Sequence, residues 1–121
     1  MELKALINYW FSKWEKRDYA HLPVTEDFRH RSPFGTVEGK KAYLELVEKN
    51  KDKFLGYSFE IHDGIYGNES ACVRYTARQG EDFELEVSEW YYKKGNRIGE
   101  IIAYYHIGDV REERKLQNPE A

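Results

Sequence analysis

The second half of the chain changes its hydrophobic period, and this change limits the fold more than any other feature. Four segments rich in aromatic and β-branched residues follow one another, separated by turn signals at Gly67-Asn68, Gly80 and Gly95-Asn96. The segments span residues 57–66, 70–78, 82–93 and 97–107. Because short turns join strands that run in opposite directions, these segments predict an antiparallel meander of four long strands.

The first half has a helical pattern with one interruption. Apolar residues recur every three or four positions over residues 2–17 and again over 40–54, which predicts two amphipathic helices, and a shorter helical turn is expected over 18–22. Between the two helices, inward and outward side chains alternate over residues 28–32, which predicts a short strand that ends at Pro33. Helices that precede a sheet predict an α+β fold, with the helices packed on one face of a strongly curved sheet.

Length and composition indicate one folded domain. The chain has 121 residues, of which 40% are hydrophobic and 16% aromatic, and this content excludes a disordered chain. We expect the domain to span residues 1–108. Residues 109–121 are charged and contain Pro119, so we expect this C-terminal tail to be poorly ordered.

Charge and motif content argue against several classes of function. Nineteen basic and 22 acidic residues give a net charge of −3 without a basic block, so nucleic acid is not an expected partner. No membrane span or secretory signal is visible, and the single cysteine, Cys72, excludes an internal disulfide, which together favour a cytoplasmic protein. The four histidines are dispersed and no phosphate-binding loop occurs, so we expect neither a metal site nor a cofactor.

The strand at residues 28–32 is the first candidate for ligand chemistry. Period-two alternation places Phe28, His30 and Ser32 on one side, while Pro33 and Gly35 force the chain to turn directly afterwards. We therefore expect the inward side chains to lie at the mouth of a cavity.

The order of the predicted elements resembles the nuclear transport factor 2-like superfamily, and especially its SnoaL-like and ketosteroid-isomerase-like branch. The resemblance depends on the strand that ends in Ser-Pro-Phe-Gly, the last turn Lys-Lys-Gly-Asn-Arg-Ile and the closing Ile-Ala-Tyr-Tyr, and it covers residues 3–108. It implies a cone-shaped α+β barrel with a deep, mostly apolar pocket between sheet and helices. It also implies a homodimer that forms through the convex face of the sheet.

The resemblance allows the isomerase pattern to be tested position by position. The general-base aspartate of that family directly precedes the proline, where this chain has Ser32. The oxyanion-stabilising acid lies ten residues before Ile98, which is Ser88, and the tyrosine of the first helix falls at Trp10 or, with a one-residue slip, at Tyr9. Because neither serine can replace an acid unaided, steroid isomerisation is not expected.

Two registers compete for the strand at residues 82–93. The residue pattern favours Phe83, Leu85 and Val87 as the inward side chains, whereas the register of the family turns Glu84, Glu86, Ser88, Trp90 and Tyr92 inward. The register of the family yields a catalytic hypothesis in which His30 is the acid or base, Glu86 orients it, and Tyr75 or Tyr105 donates to a developing oxyanion. The ligand-binding residues expected with them are Trp10, Trp14, Phe28, Ser32, Phe54, Val73, Ser88, Trp90, Ile101 and Tyr105.

Two functions are compatible with these patterns. The first is binding of a small, largely apolar organic molecule in the cone, with proton-transfer chemistry of a cyclase, dehydratase or isomerase type that needs no cofactor. The second is a noncatalytic binding or dimerisation module that works through the convex face of the sheet.

Overall fold

The computed structural model of the chain describes residues 1–106, so the predicted tail at 109–121 lies outside the described residues. The described part combines three helices and a 3₁₀ turn with six strands: α1 (Leu3–Glu15), 3₁₀ turn (Tyr19–His21), β1 (Val24–Ser32), β2 (Gly35–Glu38), α2 (Lys40–Lys49), α3 (Lys51–Phe54), β3 (Tyr57–Tyr66), β4 (Ser70–Gln79), β5 (Phe83–Lys94) and β6 (Arg97–Tyr104).

The strands form one six-stranded sheet in the order β2-β1-β6-β5-β4-β3. Strands β3 to β6 pair antiparallel with their neighbours in sequence, which confirms the predicted meander. Strand β1 joins it by pairing parallel to β6, and β2 pairs antiparallel with β1 at the edge. The predicted α+β class is confirmed, and the sheet is curved but does not close.

The segment between the two predicted helices contains more strand than the sequence pattern indicated. Strand β1 begins at Val24 rather than at residue 28, and the unpredicted strand β2 folds back onto it through the turn at residues 33–34. Gly39, with φ of 98°, then redirects the chain into α2, and its N–H donates to the carbonyl of Phe28 at 2.6 Å. This hydrogen bond ties the start of the helix to the strand that carries His30.

The predicted helix at residues 40–54 is divided in two at Asn50. This residue is fully buried, and its side-chain amide donates to the carbonyl of Leu46 at 2.9 Å. A side chain that takes up a carbonyl near the end of a helix favours termination there. The following turn, α3, places Phe54 against Trp14, with 5.9 Å between the ring centroids.

The core lies between α1 and the concave face of the sheet. All six apolar positions of the α1 stripe are buried, and Phe11 packs edge to face against Tyr75 and Phe59 at centroid distances of 5.0 and 5.2 Å. Burial of each large apolar side chain contributes roughly 2 kcal/mol. Helix α1 therefore covers one part of the concave face, and α2 and the β1–β2 hairpin flank the remainder.

The convex face carries an apolar row that crosses four strands. Ile65 pairs with Cys72, Cys72 with Trp90, and Trp90 with Ile102. Ile65 is 79% exposed and Trp90 is 41% exposed. Tyr104, two residues beyond Ile102 on β6, is 56% exposed. We refer to Ile65, Cys72, Trp90 and Ile102 as the outer apolar row.

Candidate functional site

A cavity of about 570 Å³ opens between the concave face of the sheet, the helices and the β1–β2 hairpin. Its size is within the usual range for small-molecule sites. Of the 26 described residues that line it, 11 are aromatic: Trp10, Phe11, Trp14, Phe34, Tyr43, Phe54, Tyr57, Phe59, Tyr75, Phe83 and Tyr105.

Glu89 is the buried acid of this cavity. It lies on β5, 4% exposed, where the hydroxyl of Tyr75 donates to its Oε2 at 3.0 Å and the hydroxyl of Tyr91 donates to its Oε1 at 2.5 Å. Burial raises the pKa of Glu89 to about 7, although both tyrosine hydrogen bonds act in the opposite direction. Protonated and ionised forms are therefore both populated near neutral pH.

The alternation of β5 explains why an acid reaches this position. Phe83, Val87 and Tyr91 are buried and share the inward face with Glu89, which pairs with Val73 on one side and Ala103 on the other. Because the apolar side chains at these alternate positions are buried, this face of β5 must point toward the core. Glu89 is consequently carried inward with them.

His30 forms a second polar point in the cavity wall. Its ring packs against Tyr43, with 5.1 Å between centroids, and against Phe28 at 6.3 Å. Burial lowers the pKa of His30 to about 4, so the imidazole is neutral at pH 7. Among residues 1–106 no group hydrogen-bonds to this ring, which leaves its N–H and its acceptor nitrogen to the cavity.

The tyrosines of the cavity remain hydrogen-bond donors. Burial raises the pKa of Tyr43 and of Tyr75 well above the usual value of 10, and it raises the pKa of Tyr105 as well. Burial is the larger influence on the pKa of Tyr105, and the nearby Ser32 hydroxyl acts against it by lowering that pKa. The Ser32 hydroxyl accepts from the backbone N–H of Phe34 at 3.2 Å. Phe34 in turn packs near the ring of Tyr105, with 6.1 Å between centroids.

The predicted inward direction of Glu86, Ser88 and Trp90 is wrong. The buried residues of β5 are Phe83, Val87, Glu89 and Tyr91, so its inward positions are odd-numbered. Ile98 pairs with Lys93, beyond a register shift between β5 and β6. A count of ten residues back from Ile98 reaches an even position, which lies on the opposite face. The register that the residue pattern favoured is the one observed, and the register taken from the family resemblance is not.

This correction separates the predicted His30–Glu86 pair. Glu86 is exposed on the convex face, whereas His30 lines the cavity. Glu86 therefore cannot orient His30. The identity of residue 88 likewise no longer decides whether the cavity has an acid, because Glu89 provides one.

The other predicted site residues divide into two groups. Those that line the cavity are His30, Tyr75, Trp10, Trp14, Ser32, Phe54 and Tyr105. Phe28, Val73 and Ile101 are fully buried in the core and are not among the lining residues. Glu89, Tyr91 and Tyr43 were not selected from the sequence, although the alternation of Phe83, Leu85 and Val87 with Glu89 and Tyr91 was the signal that could have found the first two.

Comparison with known proteins identifies the family. A SnoaL-like domain model matches residues 7–101. The chain belongs to the SnoaL-like family. None of the curated proteins searched matches it.

Solved structures with the same fold have low sequence identity to this SnoaL-like chain. An NTF2-like protein of unknown function from Cytophaga hutchinsonii is 18% identical with a TM-score of 0.74, and the alignment covers 87% of this chain and 90% of that one. An LEH-like epoxide hydrolase of M. tuberculosis is 14% identical with a TM-score of 0.73, covering 87% and 83%. A SnoaL-like protein of unknown function from Burkholderia thailandensis is 19% identical with a TM-score of 0.65, covering 85% and 92%.

Within residues 1–106 there is no group of three or more His, Cys, Asp or Glu side chains placed to hold a metal ion. No helix in the same part of the chain is long and apolar enough to cross a membrane.

Proposed function

We propose that this SnoaL-like protein binds a small, largely apolar organic molecule in its cavity and transfers a proton on it, as a lyase- or isomerase-type enzyme. The observation that carries the proposal is the position of Glu89, a carboxyl with a pKa of about 7 that lines an aromatic cavity. A group that exchanges its proton near the working pH is the most effective general acid or base.

Glu89 is suited to take a proton from carbon and to return it. When it is ionised, the hydroxyls of Tyr75 and Tyr91 stabilise the carboxylate, and when it is protonated, the apolar surroundings stabilise the neutral acid. The free energy difference between the two forms is therefore small. Taking a proton from a carbon next to a carbonyl leaves an enolate, and returning it to another carbon completes an isomerisation.

His30 and Tyr105 are the groups we assign to the negative charge that develops on the substrate oxygen. A neutral imidazole and a protonated phenol can each donate one hydrogen bond, and both side chains line the same cavity as Glu89. Donors held in an apolar cavity stabilise an oxyanion more strongly than water does. In a dehydration, the same enolate would expel a hydroxide that takes up the proton from Glu89 and leaves as water.

The test uses 5-nitrobenzisoxazole, a carbon acid that opens to a coloured cyanophenolate when a base removes its ring proton. We expect wild-type protein to accelerate this reaction with a rate that rises through pH 7, as Glu89 ionises. Glu89→Gln should lower the rate on the order of 100-fold. Glu86→Gln, on the same strand but the opposite face, is the matched control and should leave it unchanged. An equal rate in Glu89→Gln and wild type would refute the assignment of Glu89 as the base.

The outer apolar row favours a second candidate, a noncatalytic module that works as a homodimer through the convex face. Exposed apolar surface of this kind marks interaction sites, and a second copy can cover the same row when the two sheets meet about a two-fold axis. We expect light scattering to give wild-type protein twice the mass of one chain and Trp90→Ser the mass of a monomer. A monomeric wild type at the same concentration would exclude this candidate.

A further inference from the structure

The buried carboxyl of Glu89 has no positively charged partner in the described structure. Its two close contacts are the hydroxyls of Tyr75 and Tyr91, and no Lys, Arg or His of residues 1–106 lies within ion-pair distance of it. Burying a carboxylate is costly unless a positive charge or a full set of donors compensates it. Two hydroxyl donors compensate it in part.

The remaining charged groups of the cavity do not supply that partner. Glu38 and Glu45 are exposed lining residues and are acidic, so they add negative charge, and His30 is neutral because its pKa is about 4. Among residues 1–106, Lys53 is the one lysine or arginine that lines the cavity, against three carboxyls. The lining therefore disfavours an anionic ligand.

The aromatic walls favour the opposite charge. The face of an aromatic ring carries negative potential and attracts cations within about 6 Å of its centre, most strongly when the site is desolvated. Eleven of the side chains that line the cavity are aromatic, including Trp10, Trp14 and Tyr43. An aromatic box that contains one buried carboxyl is the arrangement that recognises an ammonium group.

We propose that the ligand of this cavity is an organic cation, an amine or quaternary ammonium compound whose charge lies against Glu89 and the aromatic walls. This inference rests on the proposed function, because it names the substrate class of the same cavity.

The experiment compares three probes of similar shape: benzyltrimethylammonium, its uncharged carbon isostere neopentylbenzene, and the anion 3-phenylpropionate. Trp10 and Trp14 line the cavity, so quenching of tryptophan fluorescence reports binding, and the thermal shift provides a second readout. We expect the cation to bind about tenfold more tightly than the isostere, and the anion more weakly than either. Glu89→Gln should remove most of the preference for the cation, and the matched variant Glu86→Gln should keep it.

The outcomes bear differently on this inference and on the proposed function. If the isostere binds as tightly as the cation to wild-type protein, the inference is wrong while the cavity remains a site for apolar molecules. If Glu89→Gln retains the full preference, the charge of the ligand does not lie against Glu89 and the inference is also wrong. If no probe binds, the inference and the ligand-binding part of the proposed function both fail. The comparison of probes on wild-type protein does not depend on whether the variant folds.

Discussion

Strand β5 presents two faces with opposite properties, and the difference shows how the side of a sheet determines the chemistry of a residue. Glu86 and Glu89 are the same residue type, three positions apart. Glu86 is exposed on the convex face, whereas Glu89 is 4% exposed, accepts hydrogen bonds from two tyrosines and has a pKa raised to about 7. The strand makes one of them a solvated surface charge and the other a candidate acid or base.

The largest expected effect is on stability and uses neighbours on the two faces. Tyr91 is fully buried, and its removal in Tyr91→Ala leaves a cavity and takes one donor from Glu89. We expect the free energy of unfolding, measured by urea denaturation, to fall by about 4 kcal/mol. Tyr92→Ala removes an equally large side chain that is 36% exposed and should cost about 1 kcal/mol or less. Equal losses in the two variants would contradict the contrast between the faces.

The fold was accessible from the sequence because it depends on patterns that many residues share. The six buried positions of α1 repeat one helical stripe, and the strands of the meander are separated by recognisable turns, so single exceptions did not matter. Strand β2 was missed because four residues, three of them exposed, give too short a pattern. The break at Asn50 was missed because it depends on one side-chain hydrogen bond.

The candidate site was less accessible because it depends on single residues and on the parity of one strand. His30 and Ser32 were assigned to the cavity from alternation, and Tyr75 was added through the register of the family. All three line the cavity. Glu89 was not found, because a count transferred from a family resemblance was preferred to the residue pattern of β5. A shift of one position turns every side chain of a strand to the other face, so an error in parity exchanges Glu89 for its exposed neighbours.

A second comparison, between Glu89 and His30, predicts opposing effects of pH on stability. The folded-state pKa of Glu89, about 7, lies above its ordinary value of 4.5, so its contribution to stability is lost as pH rises from about 4.5 to 7. The folded-state pKa of His30, about 4, lies below its ordinary value of 6.5, so its contribution is lost as pH falls from about 6.5 to 4. Between pH 4.5 and 6.5 the two effects have opposite signs.

In wild-type protein the opposite effects of Glu89 and His30 on the free energy of unfolding offset each other. Removing one group should therefore reveal the pH dependence that the other contributes. Relative to wild type, His30→Phe should show stability that declines more steeply as pH rises from 4.5 to 6.5, by roughly 1 kcal/mol per pH unit. Glu89→Gln should show the reverse, a decline as pH falls through the same range. The check is urea denaturation at half-unit steps of pH, with Glu86→Gln as the control that should follow the wild-type profile. Because only differences from wild type are compared, surface carboxylates that titrate in all four proteins cancel. A Glu89→Gln profile parallel to that of wild type would mean that the pKa of Glu89 is not raised in the folded protein, and the chemistry proposed for the cavity would then lack a group that both takes up and returns a proton near neutral pH.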